Sequence, residues 1–215
     1  MFPGNVHSAN LFLASTSPRR KALLESIGID FEVIAPEYEE EDSGAELPAE
    51  LVERHSRGKA WSVVSRLRPL PAGRPVLGVD TMVVMGGRAV GKARDAEEAL
   101  SFLRLLSGRT HLVYSGVTLL WAEPGAADAP LEELTENAVT EVRFAPVPED
   151  ELELYVAGGE WRGKAGAYAI QERAAAFVES IRGDYTNIVG LPLPLLVRML
   201  RQTGCWPPVA WGLRG

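Results

Sequence analysis

Short apolar runs alternate along the chain with longer segments in which apolar residues recur every three or four positions. The short runs include Leu11 to Ala14, Phe31 to Ile34 and Val76 to Met85. They predict strands, because β-branched and aromatic residues favour extended backbone. The longer segments predict amphipathic helices. The alternation predicts an α/β fold, in which helices flank a mixed twisted sheet.

Glycine, proline and capping residues give the expected ends of these elements. Ser17 and Pro18 predict a helix start at which the serine caps free amides, and Gly28 predicts its end. The Gly86-Gly87 pair predicts a tight turn into a return strand that reaches Val90. The other predicted elements are helices from about Pro48 to Leu67, Asp95 to Gly108, Glu149 to Ala157 and Leu191 to Leu200, and strands from about Thr110 to Trp121 and Glu133 to Phe144.

The length of 215 residues is enough for one hydrophobic core. We expect a single domain of two lobes over residues 1–203 and a tail over 204–215, where Pro, Gly and Trp disfavour regular structure. Hydrophobic residues make up 46% and charged residues 24%, which is typical of folded soluble proteins. No apolar run approaches the roughly 18 residues that cross a bilayer. These features predict a cytoplasmic protein without a membrane partner.

Charge and cysteine content exclude several classes of function. The net charge of −7 argues against a nucleic-acid partner, which requires a broad basic surface. Cys205 is the only cysteine, so an internal disulfide or a cysteine zinc cluster is excluded. His7, His55 and His111 do not have the spacing of paired metal ligands. Any polyanion that the protein binds is therefore expected to be small.

The turn LASTSPRRK is the first candidate for chemistry. Amides at a helix start point outward with partial positive charge, so Ser15, Ser17 and nearby amides could hold phosphate oxygens. Arg19 or Arg20 could form paired hydrogen bonds to the same group. Cations in a first turn oppose the helix dipole, and this unfavourable placement of charge counts toward a ligand, although serine-proline helix starts are common in every fold. An ordinary strand-to-helix turn with a solvated basic face remains the alternative.

A carboxylate in an apolar strand is the second candidate. Asp80 interrupts the run GVDTMVV, and an acid in a buried strand is costly unless it is paired or binds a metal. Thr81 is expected on the opposite face of that strand. The acidic stretch from Glu37 to Asp42 is typical of a solvated loop, but Mg²⁺ needs only one or two carboxylates plus substrate phosphates. One of its glutamates with Asp80 would suffice.

Two further regions could complete such a site. Lys92 follows the hairpin that carries Asp80 and can return to the same cleft, whereas Lys59 lies on a predicted helix. The stretch KAGAYAIQ combines small residues with Gln171, whose amide could read the edge of a base. A small-residue strand packed under a helix is the alternative interpretation of this stretch.

Together these stretches resemble the Maf family of nucleoside triphosphate pyrophosphatases, from Leu11 to about Leu200. The likeness rests on several motifs in order: LASTSPRRKALLESIGIDFEV, GVDTMVV, GKARDAEEA, LSGRTHLVYSGV, KAGAYAIQ and FVESIRGDYTNIVGLPL. The resemblance implies an elongated two-lobed fold with a central cleft, and a homodimer. It also implies metal-dependent attack of water between the α and β phosphates of a nucleoside triphosphate, which releases the monophosphate and pyrophosphate.

The resemblance assigns roles to individual residues. Asp80 would activate water or hold the metal, Mg²⁺ or Mn²⁺, and Glu40, with Glu39 as the alternative, would be the second acidic group. The implied phosphate clamp consists of Arg19, Lys59, Lys92 and Lys164. Four cations and a divalent metal would offset a triphosphate of about four negative charges.

Three positions bear on the substrate. Arg19, Thr81 and Gln171 match the branch that acts on dTTP and UTP, whereas the 7-methyl-GTP branch typically has Trp, Gln and Glu there. The sequence departs from the family pattern in Ala93, where Pro is common, and in Glu172-Arg173, where small residues are usual. Removal of modified pyrimidine nucleotides is an implied role. The alternatives are a purine triphosphate pyrophosphatase and a non-catalytic nucleotide-binding inhibitor of septum formation.

Overall fold

The structure is a computed structural model that describes residues 10–41, 46–67, 70, 73–122 and 131–206. These residues form a seven-stranded mixed sheet of order β2-β1-β3-β5-β6-β7, with β4 paired to β3. Strands β1, β2 and β3 are parallel, and the remaining pairs are antiparallel. The strands are β1 Leu11–Ala14, β2 Phe31–Val33, β3 Val76–Met85, β4 Arg88–Val90, β5 Thr110–Trp121, β6 Glu132–Phe144 and β7 Val178–Arg182.

Helices accompany this sheet, as the alternating pattern predicts. They are α1 Pro18–Ser26, α2 Pro48–Val64, α3 Ala96–Leu106, α4 Glu149–Ala157, α5 Tyr185–Val189 and α6 Leu193–Gln202, with a 3₁₀ helix at Arg173–Phe177. The prediction of a mixed α/β fold is confirmed. Within the described residues, no helix has the length and apolar character needed to cross a bilayer.

One edge of β3 is only partly paired. Residues Val76 to Gly78 pair with β1, and Val83 to Met85 pair with β4. Between them, the edge from Val79 to Met82 has no strand partner among the described residues. The opposite edge pairs with β5 without interruption from Val76 to Val84. Asp80 and Thr81 therefore lie on a firmly held strand at an opening in the sheet.

Two glycines bring α2 directly onto the sheet. A Cβ added at Gly78 would lie 2.1 Å from the Ser56 carbonyl oxygen, and one at Gly116 would lie 2.1 Å from the Val52 carbonyl oxygen. No side chain fits in either position, so the backbone of α2 rests against β3 and β5. The larger apolar cluster includes Leu77 and Val79, which alternate with Gly78 and so belong to the opposite face of β3.

Several local predictions need correction. Ser17 precedes α1, but its side chain makes no capping hydrogen bond; instead the Ser15 Oγ accepts a hydrogen bond from the Ser17 amide at 3.2 Å. Helix α2 ends at Val64 rather than Leu67. The KAGAYAIQ stretch is a series of turns, so its interpretation as a strand is wrong. The two-lobed shape and the division at residue 203 stay predictions, and residues 207–215 of the predicted tail lie outside the described residues.

Candidate functional site

A pocket of about 380 Å³ opens where the edge of β3 is unpaired. It is bounded by the turn between β1 and α1, the acidic segment before α2, the residues after β4 and the KAGAYAIQ stretch. The pocket lining includes every residue that the sequence singled out for the site: Ser15, Ser17, Arg19, Arg20, Glu40, Lys59, Asp80, Thr81, Lys92, Lys164 and Gln171. Glu39, the alternative to Glu40, does not line it.

Arg20 joins three parts of the pocket through its guanidinium. Its Nε donates to the Gly190 carbonyl at 2.8 Å, and its two terminal nitrogens donate to Ser15 Oγ at 3.1 Å and Thr81 Oγ1 at 3.2 Å. Desolvation lowers the pKa of Arg20, but arginine remains a cation in proteins. Because all three nitrogens are engaged, Arg20 positions the first turn against β3 and the end of α5.

Arg19 is held less completely. Its Nε donates to the Val189 carbonyl at 3.2 Å. Carbonyls at the end of a helix carry partial negative charge, so α5 offers both arginines a favourable partner. This explains why two cations occur in the first turn of α1. The terminal nitrogens of Arg19 have no hydrogen-bond partner within the described part of the chain.

Two carboxylates meet at one ammonium group. Lys59 Nζ lies 2.6 Å from Asp80 Oδ1 and 2.5 Å from Glu40 Oε1. The side chains of Lys59 and Asp80 are 11% and 10% exposed, whereas that of Glu40 is 43% exposed. The ammonium charge is therefore shared between a buried carboxylate and one at the rim. The structure brings Glu40 to this group, and Asp42 lies outside the described residues.

This pair of carboxylates fits a hard divalent cation. Asp80 and Glu40 present oxygen ligands to a common point, as their contacts with Lys59 show. The described residues contain no cluster of three or more His, Cys, Asp or Glu suited to a metal. Mg²⁺ typically takes one or two protein carboxylates and completes its shell with water and substrate phosphates. Asp80 and Glu40 are therefore the residues that could hold such a metal.

The KAGAYAIQ stretch is fastened to the hairpin by backbone hydrogen bonds. Lys92 and Ala165 form an isolated antiparallel bridge. The Gly166 amide donates to the carbonyls of Val90 and Gly91 at 3.1 and 3.0 Å. These bonds fix Lys92 and the stretch that carries the glutamine as one unit on the same side of the pocket.

Lys164 is held differently from the other cations. Its Nζ lies 2.7 Å from Glu172 Oε2 and also donates to the Glu160 carbonyl. Glu172, which stands where small residues are usual in the family pattern, therefore offsets the positive charge of Lys164. Ala167 has a positive φ of 59°, which is uncommon outside glycine. Both features shape the turn before Gln171.

Comparison with known proteins identifies the family. The family model for Maf-like proteins matches residues 10–203. This chain belongs to the Maf family.

Curated relatives support the assignment across almost the whole chain. A protein of Symbiobacterium thermophilum is 48% identical over 194 residues, covering 90% of this chain and 94% of the relative. A protein of Pelotomaculum thermopropionicum is 43% identical over 90% of this chain and 96% of its own length. One from a Chelativorans species is 43% identical over 94% of both chains. All three are named dTTP/UTP pyrophosphatase.

The pocket of this Maf protein also includes residues that sequence reasoning missed. They are Tyr38, Tyr168, the last two residues of α5, Ile188 and Val189, and Gly190, which follows the helix. The sequence does contain a signal for α5, because aspartate at position 184 is a typical helix N-cap residue. In the structure the Asp184 Oδ1 accepts a hydrogen bond from the Thr186 amide at 2.8 Å. Tyr168 lies within the KAGAYAIQ stretch, but the sequence pattern gave no reason to single out the tyrosine.

Proposed function

We propose that this Maf protein hydrolyses dTTP and UTP to the nucleoside monophosphate and pyrophosphate. The observation that carries the proposal is that the Asp80–Glu40 carboxylate pair, several cationic side chains and the Arg19, Thr81 and Gln171 set line one pocket. The relatives named dTTP/UTP pyrophosphatase support the same substrates.

Asp80 is the group best placed to take a proton from water. Its carboxylate is mostly buried and paired with Lys59, so its position in the pocket is maintained. In the proposed reaction, the water oxygen bonds to the α phosphorus and Asp80 receives a proton. The bond from that phosphorus to the bridging oxygen breaks, and pyrophosphate leaves with the electron pair. A positioned general base contributes typically about 10²- to 10⁴-fold to such a step.

We propose Mg²⁺ or Mn²⁺ as the cofactor, held by Asp80 and Glu40 with the substrate phosphates. Such a metal supplies Lewis acidity and neutralises phosphate charge. Lys59, which contacts both carboxylates, would donate a hydrogen bond to a phosphate oxygen. Arg19 and Lys92 face the same pocket and stabilise the charge that develops on the leaving pyrophosphate.

The decisive assay is a nucleotide panel with purified protein. With Mg²⁺ or Mn²⁺, we expect dTTP and UTP to give monophosphate and pyrophosphate in equal amounts, measured by ion-exchange chromatography. Faster release from 7-methyl-GTP or another purine triphosphate would favour the rival substrate class. An absence of pyrophosphate from dTTP and UTP would reject the proposal.

Asp80→Asn separates catalysis from binding. The substitution keeps the size of the side chain but removes its charge, so hydrolysis should fall by at least about 10²-fold while UTP binding persists. Asp150→Asn is the matched control, because Asp150 is exposed on α4 and does not line the pocket. If a cell-division effect of the protein survived Asp80→Asn, a non-catalytic role would be favoured.

The biological setting follows from the proposed substrates. Free nucleoside triphosphates are cytoplasmic metabolites, and a single cysteine agrees with a reducing compartment. We therefore propose a cytoplasmic enzyme that can keep modified pyrimidine nucleotides out of nucleic acids. The homodimer and the lack of a nucleic-acid partner stay predictions.

A further inference from the structure

The segment from Ala35 to Glu41 has no regular secondary structure, yet it is fastened along α2 and the turn after it. Arg66 donates to the Ala35 carbonyl and pairs with Glu37 at 2.6 Å. At the other end, Arg54 donates to the Glu41 carbonyl at 2.5 Å. These contacts secure the two ends of the segment, and they leave open what holds its middle, where Glu40 lies.

Tyr38 holds the middle by lying over Gly58 of α2. A Cβ added at Gly58 would lie 2.1 Å from Tyr38 Cε2, so the ring occupies the space that any side chain at this position would need. The Tyr38 hydroxyl is 3.0 Å from His55 Nδ1, and the two rings meet edge to face at 5.7 Å. Glycine weakens a helix interior. Its presence at position 58 is explained by the ring that it admits.

The spacing along the segment links this contact to the site. Tyr38 and Glu40 both line the pocket, whereas Glu39 between them does not. This is the alternation of an extended chain, in which residues two apart point to the same side. A ring fixed at position 38 therefore fixes which glutamate faces Lys59.

We propose that Tyr38, seated on Gly58, is a positioning residue that presents the Glu40 carboxylate to Lys59 and Asp80. This inference rests on the proposed function, because it gives Glu40 its importance through the metal and the triphosphate. Gly58 takes part only by lacking a side chain, and neither Tyr38 nor Gly58 needs to touch the reacting atoms.

Gly58→Ala tests the proposal, because activity should fall without a loss of stability. The methyl group suits the helix, so the melting temperature should stay the same or rise. The same methyl group displaces the Tyr38 ring and with it Glu40. A displacement of about 1 Å can cost about 10²-fold, so we expect kcat/KM for UTP to fall about 10- to 100-fold, mainly in kcat.

Metal binding supplies a readout that does not depend on turnover. Mn²⁺ affinity would be measured by electron paramagnetic resonance in the presence of α,β-methylene-UTP, whose bridging carbon resists cleavage. Gly58→Ala should weaken Mn²⁺ binding several-fold. Hydrogen exchange over residues 35–41 should rise in the same variant.

The matched control is Gly58→Ala introduced into a variant that lacks the Tyr38 ring. Tyr38→Ala should lower Mn²⁺ affinity by itself, and adding Gly58→Ala to it should cause no further loss, because the methyl group then has nothing to displace. Wild-type Mn²⁺ affinity and turnover in Gly58→Ala would overturn the inference. Additive losses in the double variant would also overturn it. An inactive wild-type protein would instead reject the proposed function.

Discussion

His111 lies within the aromatic core behind the pocket and should make the fold sensitive to acid. The residue is 1% exposed, and its ring packs edge to face against Phe144 and Tyr168. Its Nε2 is 2.8 Å from the Tyr168 hydroxyl, and its Nδ1 has no partner within the described residues. A protonated imidazole carries two N–H donors, so one would remain buried without an acceptor. Burial accordingly lowers the pKa of His111 from 6.5 to about 4.

The size of the effect follows from proton linkage. Because the pKa is lower in the folded state, the unfolded chain takes up the proton first as the pH falls. The stabilisation is therefore complete above pH 6.5 and is lost between pH 6.5 and about pH 4. Each pH unit corresponds to about 1.36 kcal/mol. At pH 5 the loss is about 2 kcal/mol relative to pH 8.

Urea unfolding at pH 8, 6.5 and 5 measures this loss. With a slope of about 2 kcal/mol per molar urea, the midpoint should fall by about 1 M from this group alone. Glutamine in His111→Gln stays neutral and can still hydrogen-bond to Tyr168. The urea midpoint of this variant should therefore not show the fall of about 1 M that His111 causes. Carboxylates titrate in both proteins and cancel in the difference. Parallel profiles for the two proteins would refute the reasoning.

Three substitutions in the pocket give further tests. Gln171→Glu should lower the preference for UTP over 7-methyl-GTP by about tenfold or more, since a carboxylate cannot donate to a base edge; an unchanged ratio of kcat/KM would contradict the site assignment. Glu40→Gln should reduce kcat by at least about 10-fold and weaken Mn²⁺ binding, whereas Glu39→Gln should stay close to wild type in both assays. Arg20→Lys loses the planar fork and about two of its three hydrogen bonds, so urea unfolding should show a loss of about 2 kcal/mol; unaltered stability would argue against its positioning role.

Much of the pocket could be anticipated because its residues break local patterns. Asp80 interrupts an apolar strand, and Arg19 and Arg20 occur in a first turn where the helix dipole disfavours cations. Such residues can be recognised in the sequence because each one is energetically unfavourable in the element where it occurs. The α/β class and the bounds of β1, β3 and β5 followed equally from hydrophobic periodicity.

The partners of these residues could not be anticipated in the same way. Arg20 contacts Gly190, and Tyr38 occupies the space above Gly58, only because the sheet order brings distant segments together. Neither contact leaves a periodic signal. The pairing of Lys164 with Glu172 is local in sequence, but turns rather than a strand create it. Sequence periodicity therefore predicted elements and unusual residues, whereas their contacts required the tertiary fold.

The continuous ladder beneath the pocket has a consequence for turnover. Strand β3 pairs with β5 from Val76 to Val84, and β5 pairs with β6 along its whole length from Thr110 to Trp121. Asp80 and Thr81 belong to this continuously paired part of the sheet, so we expect nucleotide entry and product release to proceed without bending it. We expect entry and release to depend on the two segments without helix or strand that line the pocket, from Ala35 to Glu41 and from Lys164 to Gln171. Substitutions in these segments that leave Tyr38 and Glu40 in place should therefore alter the residence times of nucleotide and pyrophosphate.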